Sequence, residues 1–284
     1  DGVSSRDFAT EAIYLCAQTM VDLSRLVEEI ILWTTKEFSY AEISDAFSST
    51  SSMMPQKKNA IVPEIFRAKT SQVLGDLMGA MSLLKSLPLS YNLDLQELTR
   101  NLWSSTDKTI SSVSILSELM SEIEFNTKKM LESSISDEFL FATELADYMV
   151  QKFKVPFREA HSRVGKLVRY AIEKGAEHSQ LTSIETAVIS EILGVSLSNE
   201  DFLSIVNPAK VLTKRKAIGA PNPKMVSEAA KARLKVVAKH VETLSSFRRG
   251  IERGEHLLIS AEKKIKGSIH DEEGRRISLS EVKE

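Results

Sequence analysis

Leu23-Ser24-Arg25-Leu26-Val27-Glu28-Glu29-Ile30-Ile31-Leu32-Trp33 sets apolar side chains at 23, 26, 30 and 33. Steps of three and four residues bring those side chains onto one face of an α-helix, whereas a half-buried strand would alternate. The same spacing recurs at Ile110, Val113, Leu116, Met120 and Ile123. Around these stretches the helix-breaking residues disappear. Neither glycine nor proline occurs between Val3 and Met54 or between Leu89 and Val155. Glycine costs a helix backbone entropy and proline removes an amide donor, so such windows predict long helices. Ser4, with Asp7 three residues on, suggests a capping box that starts the first helix near Arg6 and carries it to about Thr35. A second helix is expected from Val62 to the approach of Pro88, and a third over about Asp94 to Leu131. No segment is rich enough in strand formers to predict a sheet, and no internal repeat is visible. The fold class is therefore all-α.

Helices this long expose too much apolar surface to stand alone, and pairing with other helices or other copies of the chain is expected. Gly75 and Gly79 form a G-x-x-x-G step in the second helix, where a neighbouring backbone could come close. After Ser133-Ser134 the texture shifts to shorter helices, broken by Pro156, Gly175, Gly194, Pro208 and Gly219. This divides the chain into a long-helix bundle domain, 1–134, and a smaller C-terminal helical domain, 135–284. Asn222-Pro223 forms a cap and first-turn pair for a final amphipathic helix carrying Ala230, Leu234, Val237, Val241 and Leu244 on one stripe. Beyond about Gly267 the chain is charged and is expected to be loose.

Composition narrows the function classes. The formal net charge is -2 over 284 residues, which gives no global field for nucleic acid or an acidic membrane. The charge is uneven, since residues 205–284 hold 18 Lys plus Arg against 10 Asp plus Glu. The single cysteine, Cys16, excludes an intrachain disulfide framework and fits a reducing, cytoplasmic setting. No apolar run approaches the roughly 20 residues that span a bilayer. Asp1 opens the chain without a methionine or a signal-like segment, and a fragment or processed product is expected.

One loop concentrates chemistry. Ser48-Ser49-Thr50-Ser51-Ser52-Met53-Met54-Pro55-Gln56-Lys57-Lys58-Asn59 gathers hydroxyls, amides and two lysines directly before a helix whose amino end attracts anions. Composition alone favours a solvated serine-rich linker with surface lysines. The order of residues is more specific: loop 48–59 resembles the signature loop of the fumarase/aspartase superfamily, and Met-Pro-Gln-Lys-Lys-Asn is similar to that of its argininosuccinate lyase family. The likeness extends to Val3-Ser4-Ser5-Arg6-Asp7-Phe8, Ile43-Ser44-Asp45-Ala46-Phe47-Ser48 and Leu87-Pro88-Leu89-Ser90-Tyr91-Asn92-Leu93-Asp94-Leu95-Gln96-Glu97. It continues through Ala142-Thr143-Glu144-Leu145-Ala146-Asp147-Tyr148 and Val155-Pro156-Phe157-Arg158-Glu159-Ala160-His161, and fades in the basic tail.

This resemblance implies a fumarase/aspartase-type bundle and a β-elimination that splits argininosuccinate into arginine and fumarate, in arginine biosynthesis, without metal or organic cofactor. It assigns the catalytic base to Ser51. Lys57 and Asn59 match carboxylate-binding positions, Tyr91 and Gln96 match substrate contacts, and Glu64 matches a carboxylate that orients a histidine supplied by another segment. Ser52 and Met54 belong to the same loop in supporting positions. Arg6 is a candidate for a substrate carboxylate or for a structural salt bridge. The resemblance further implies a homotetramer whose active sites are shared between subunits, each assembled from three separated sequence regions. Only the last of these regions falls within residues 1–284.

Departures from the family pattern are Thr50 for glycine, Ala60 for proline and Thr99 for a substrate-binding lysine, with Arg100 beside it as a substitute. His161, His178, His240, His256 and His270 match no motif for the family's catalytic histidine, and His161 is expected to hold a structural hydrogen bond. A molecule lacking the upstream region would be inactive or very weak. Two other readings remain open from sequence: a catalytically silent structural protein on the same scaffold, or another fumarate-releasing lyase such as adenylosuccinate lyase. A nucleic-acid-binding role for Lys214-Arg215-Lys216 and Arg248-Arg249 ranks below these, because no aromatic stacking residues are interleaved with the charges.

Overall fold

A computed structural model describes residues 2–50, 54, 58–174 and 180–268. The chain divides into two compact units, Asp1–Asp137 and Glu138–Glu284.

The first unit is built on three long helices: α1 (Asp7–Trp33), α2 (Ile61–Leu84) and α3 (Asp94–Glu122). Each buries one stripe, and the buried side chains form three stacked clusters. Ala9, Ile13, Ala80 and Leu98 fill one end of the bundle. Ala17, Met20, Val27, Phe66, Val73 and Leu116 fill the middle. Ile30, Ile43, Phe47 and Leu119 close the other end. Thr70 is the buried polar group between α1 and α2, and its hydroxyl donates to the Phe66 and Met20 carbonyls at 3.1 and 3.4 Å. Pro63 sits in the first turn of α2, where no intrahelical donor is required.

Two expectations about helix ends are corrected. The Ser4–Asp7 capping box does not form. Arg6 occupies the N-cap position without a side-chain cap, its carbonyl accepts from the Ala9 and Thr10 amides, and Asp7 places a negative charge in the first turn. The third helix stops at Glu122, well short of Leu131. There Ile123 turns extended, and β4 (Glu124–Phe125) pairs antiparallel with β1 (Ala41–Glu42). Asn126 then starts α4 (Thr127–Ser136), its side chain accepting from the Lys129 amide at 3.1 Å. A ladder with a distant segment and a local cap thus override an unbroken helical pattern. Trp33 meets Phe125 edge-on beside this ladder, with ring centroids 6.1 Å apart.

The two glycines of the second helix do different work. A Cβ on Gly79 would lie 2.8 Å from Asn101 Nδ2, which donates to the Asp76 carbonyl at 3.1 Å. A Cβ on Gly75 would meet nothing within 4 Å. Alanine gains about 0.8–1 kcal/mol over glycine in a helix, and loss of the Asn101 bond costs about 1 kcal/mol. Gly75→Ala is therefore expected to stabilise the first unit by nearly 1 kcal/mol, and Gly79→Ala to leave it nearly unchanged. Urea unfolding checks both; equal gains at the two sites would show that Asn101 does not need the space at Gly79. Nearby, the partly buried Asp76 carboxylate accepts from Lys108 Nζ at 3.1 Å and from the Ser104 hydroxyl at 2.7 Å, tying α2 to α3.

The second unit packs α5 (Ala142–Phe153), α6 (Phe157–Glu173), α7 (Thr186–Leu193), α8 (Asn199–Ile205) and α9 (Pro208–Lys214) around one core. Leu145, Met149, Leu167, Leu181, Ile189 and Phe202 are its largest fully buried side chains. Ser198 caps α8 and Asn207 caps α9, with Pro208 in the first turn. Gly194 ends α7 at φ 63°, where Arg163 Nη1 reaches the Leu193 carbonyl at 2.8 Å and a Cβ would stand 2.7 Å from that nitrogen. Buried Glu138 accepts from the Thr182 amide at 2.6 Å and from its hydroxyl at 2.7 Å. The long last helix, α10 (Pro223–Ser268), begins as its sequence predicts. Asn222 accepts from the Lys224 and Met225 amides and donates to the Thr213 carbonyl at 2.8 Å.

An ion pair joins α5 to α8. Lys152 Nζ lies 2.8 Å from Asp201 Oδ2, and together with the Ser198 hydroxyl it holds the Asp201 carboxyl at about 2, below its usual 3.8. The carboxylate form is favoured by folding, so its contribution is present above about pH 4 and fades as pH falls toward 2. Asp201→Asn is expected to flatten that part of the acid stability profile. Hydrogen exchange of the α8 amides between pH 5 and 2.5 measures it, and an unchanged profile would rule the pair out as its source.

Candidate functional site

The serine-rich loop enters and leaves the first unit through a short ladder. β2 (Ser49–Thr50) pairs antiparallel with β3 (Lys58–Asn59), setting Ser49 opposite Asn59 and Thr50 opposite Lys58. A 3₁₀ turn at Asp45–Phe47 leads into β2, and Phe47 anchors it by burial in the end cluster. Further ties hold the approach. Ser44 donates to Glu122 Oε2 at the end of α3 at 2.8 Å. Lys58 Nζ lies 2.7 Å from Asp45 and 3.2 Å from Glu42, and these carboxylates raise its pKa. Lys58 is thereby engaged as a brace, which its position beside Lys57 did not signal. The only hint was the acidic pair Glu42 and Asp45 upstream.

Ser51, Ser52 and Lys57 lie outside the described residues. Asn59 is half-buried at the end of β3, and Met54 is exposed. Glu64 is exposed in the first turn of α2, one turn beyond the ladder. These three positions belong to the loop end of the bundle.

Tyr91, Gln96 and Arg6 belong to the other end. Gln96 Nε2 donates to the Tyr91 hydroxyl at 2.6 Å, so two expected substrate contacts are already joined at the start of α3. Arg6 precedes α1 and donates to the Val3 and Ser5 carbonyls at 3.2 and 2.8 Å, and among the described residues it forms no salt bridge, the alternative to a substrate contact. Thr99 is exposed in the following turn, and Arg100 sits 3.5 Å from Glu97. Between these groups runs α2, whose 24 residues span about 36 Å at 1.5 Å per residue. One chain therefore does not bring Asn59 and Glu64 together with Tyr91, Gln96 and Arg6.

In the second unit, Glu144, Asp147, Tyr148, Gln151, Lys214 and Arg215 line an open polar cleft of about 170 Å³, which is small beside ordinary ligand pockets of at least about 300 Å³. Arg215 is committed there to an ion pair with Glu144. His161 is exposed with its ring 6.1 Å from Phe157, and makes no hydrogen bond among the described residues, contrary to expectation. His240 and His256 are exposed on α10, and His178 and His270 lie outside the described residues. Among the described residues no group of three or more His, Cys, Asp or Glu could hold a metal ion, and no helix is long and apolar enough to cross a membrane.

Comparison with known proteins adds ancestry to this geometry. A family model described as "Argininosuccinate lyase C-terminal" matches residues 139–213, and one described as "Lyase" matches residues 1–75. The chain is 41% identical to the argininosuccinate lyase of Methanothrix thermoacetophila over 246 residues, covering 87% of this chain and 49% of that protein. It is 39% identical to that of Methanocorpusculum labreanum over 236 residues, covering 81% and 46%. The chain thus spans about half the length of the curated relatives it matches. Among solved structures, an EDDS lyase variant with bound fumarate superposes at TM-score 0.78 with 23% identity, covering 93% of this chain and 53% of that one. A class II fumarase from Schistosoma mansoni superposes at 0.57 with 18% identity, covering 72% and 40%.

Proposed function

This chain belongs to the argininosuccinate lyase family of the fumarase/aspartase superfamily, and we propose that the full-length protein cleaves argininosuccinate to arginine and fumarate. The observation that carries this reading is the run Met54-Pro55-Gln56-Lys57-Lys58-Asn59, set in a loop whose two arms are clasped by the β2–β3 ladder directly before α2.

In the proposed reaction the Ser51 oxygen removes the proton on the carbon beside a substrate carboxylate. The electron pair left behind is delocalised into that carboxylate, then forms the carbon-carbon double bond as the carbon-nitrogen bond breaks, and the guanidino nitrogen, which keeps the electrons of that bond, takes a proton from a general acid supplied elsewhere in the assembly and leaves as part of arginine. Negative charge grows on the carboxylate before departure, so groups that hold it count more in the transition state than in the ground state. Lys57 and Asn59 supply charge and an amide donor there, and Ser52 and Met54 shape the loop around them. A serine hydroxyl is a weak base, and its deprotonated form needs nearby donors and cations. The chemistry requires neither a metal nor an organic cofactor.

We further propose a homotetramer with active sites shared between subunits. Two observations support it. The loop-end residues and the Tyr91–Gln96–Arg6 group stand at opposite ends of the bundle, so neighbouring chains running the other way would bring unlike ends together. Phe8, Met78, Trp103 and Ile110 also leave large apolar side chains 62–66% exposed on all three long helices. Glu64 would orient a histidine from another segment of the assembly. A cytoplasmic place in arginine biosynthesis completes the proposal.

Fumarate release, followed by its ultraviolet absorbance after mixing full-length protein with argininosuccinate, tests the activity. Adenylosuccinate serves as the competing substrate. Turnover of argininosuccinate is expected; no fumarate from either compound would leave a silent structural protein, and preference for adenylosuccinate would move the chain to the other branch.

A further inference from the structure

We propose that α10 is a self-association element, pairing antiparallel with α10 of a second copy of this chain. The inference is independent of the catalytic reading.

The helix runs 46 residues, about 69 Å. Its start is tied down through Asn222 and the Thr213 carbonyl. Beyond that it carries an apolar residue at every seventh position: Val237, Leu244, Ile251, Leu258 and Ile265, which are 55–71% exposed. A second seam residue precedes two of them by three, Leu234 and Val241, equally exposed. A strict seven-residue period sustained over four intervals is the pattern of a helix that meets another helix along its length. A helix packing only on its own globular unit would show the broader 3.6-residue stripe and would bury it.

The identity of the partner follows from what fills the remaining seam positions. Continuing from Leu234 and Val241 by sevens gives Arg248, Glu255 and Glu262. A parallel, in-register pair would set each of these against its own copy, three like-charge contacts in succession along the seam. An antiparallel pair centred between Arg249 and Gly250 separates both glutamates from their own copies, setting Glu255 against the partner's Leu244 and Glu262 against the partner's Val237, while Arg248 faces the partner's Ile251 and keeps the partner's Arg248 about one turn away. In that register Leu234 faces the partner's Ile265, and Val241 faces the partner's Leu258. Arg248 comes within about one turn of the partner's Glu255. The flanking positions also match large to small: Phe247 falls beside the partner's Gly254, and Ala238 beside the partner's Ile259. Since the pairing is twofold, every such contact occurs twice. The antiparallel register thus joins apolar residues in its outer layers and avoids two of the three like-charge contacts of the parallel one.

Disulfide trapping in the full-length protein tests both partner and direction. In a background with Cys16→Ser and no other native cysteine, two differently tagged versions carry Val241→Cys and Leu258→Cys respectively. These exposed positions tolerate the change without entering any core. Co-expressed and oxidised, the two variants are expected to yield a cross-linked dimer bearing both tags, at least about tenfold above the dimer formed by either variant alone. Leu244→Asp added to both versions should abolish it while circular dichroism stays that of the parent. Equal cross-linking of a single variant with itself would establish a parallel pair and overturn the proposed register. Absence of any cross-link in the mixture would overturn self-association through α10.

Discussion

Replacing Ser51 by alanine in the full-length protein is expected to lower turnover of argininosuccinate about 100- to 10,000-fold, the usual contribution of a positioned general base. The loss should fall on kcat more than on KM. A hydroxyl that takes a proton acts only as the transition state forms, whereas Lys57 and Asn59 would hold the substrate carboxylate before and during the step. Single-turnover measurements separate binding from chemistry. Lys57→Ala provides the contrast, with KM and kcat both affected because a charge is removed from ground state and transition state alike. An alanine variant that matched the parent would remove Ser51 from the mechanism and, with it, the reason for assigning the loop a catalytic role.

Phe66→Ala is expected to cost the first unit about 3–5 kcal/mol, the range for removing a fully buried aromatic side chain. Phe66 is 1% exposed at the centre of the middle cluster, where α1, α2 and α3 meet around Ala17, Met20, Val27, Val73 and Leu116. The three long helices bound the space on every side, so collapse into the void would require them to shift together. The protein reports on this unit conveniently. Both tryptophans within residues 1–284, Trp33 and Trp103, lie on α1 and α3. Their fluorescence during denaturant unfolding therefore follows the first unit, provided any tryptophan outside these residues is replaced. A loss under 1 kcal/mol, below the range for any large-to-small core change of this kind, would show that the middle cluster can repack.

Much of the first unit is legible because long helices are specified locally. Windows free of glycine and proline, with apolar steps of three and four, gave a first helix over about Arg6 to Thr35, and α1 occupies Asp7–Trp33. The final helix was equally readable, since Asn222 and Pro223 determine its start through bonds to its own first turn. What escaped the sequence depends on partners remote along the chain. The third helix ends where Glu124 meets Glu42, and no feature between Glu122 and Leu131 announces that ladder except the capping residue Asn126. Glu138 reads as a surface charge until Thr182 closes over it. Gly75 and Gly79 look equivalent in sequence, and only the side chain of Asn101 separates them.

The candidate site divides in the same way. Residue identity marked Asn59, Glu64, Tyr91, Gln96 and Arg6 through family resemblance, but identity carries no distance. That the first two and the last three stand at opposite ends of α2 follows from the antiparallel run of the helices. The brace formed by Lys58 with Asp45 and Glu42 was likewise invisible, because both lysines of the pair invite the same reading as anion-binding charges.

A ladder of two rungs has little power to choose its own alignment. Slippage by one residue would put Lys58 across from Ser49 and turn Asn59 to the opposite face, with almost no change in backbone bonding. The cation of Lys58, clasped by Glu42 and Asp45 in the segment that leads into β2, works against this as a peg in a hole. Shifting the arm by one position carries the ammonium away from both acids at once. The pair of charges thus keeps Asn59 aimed to one side, and its value to the molecule lies in alignment more than in adhesion.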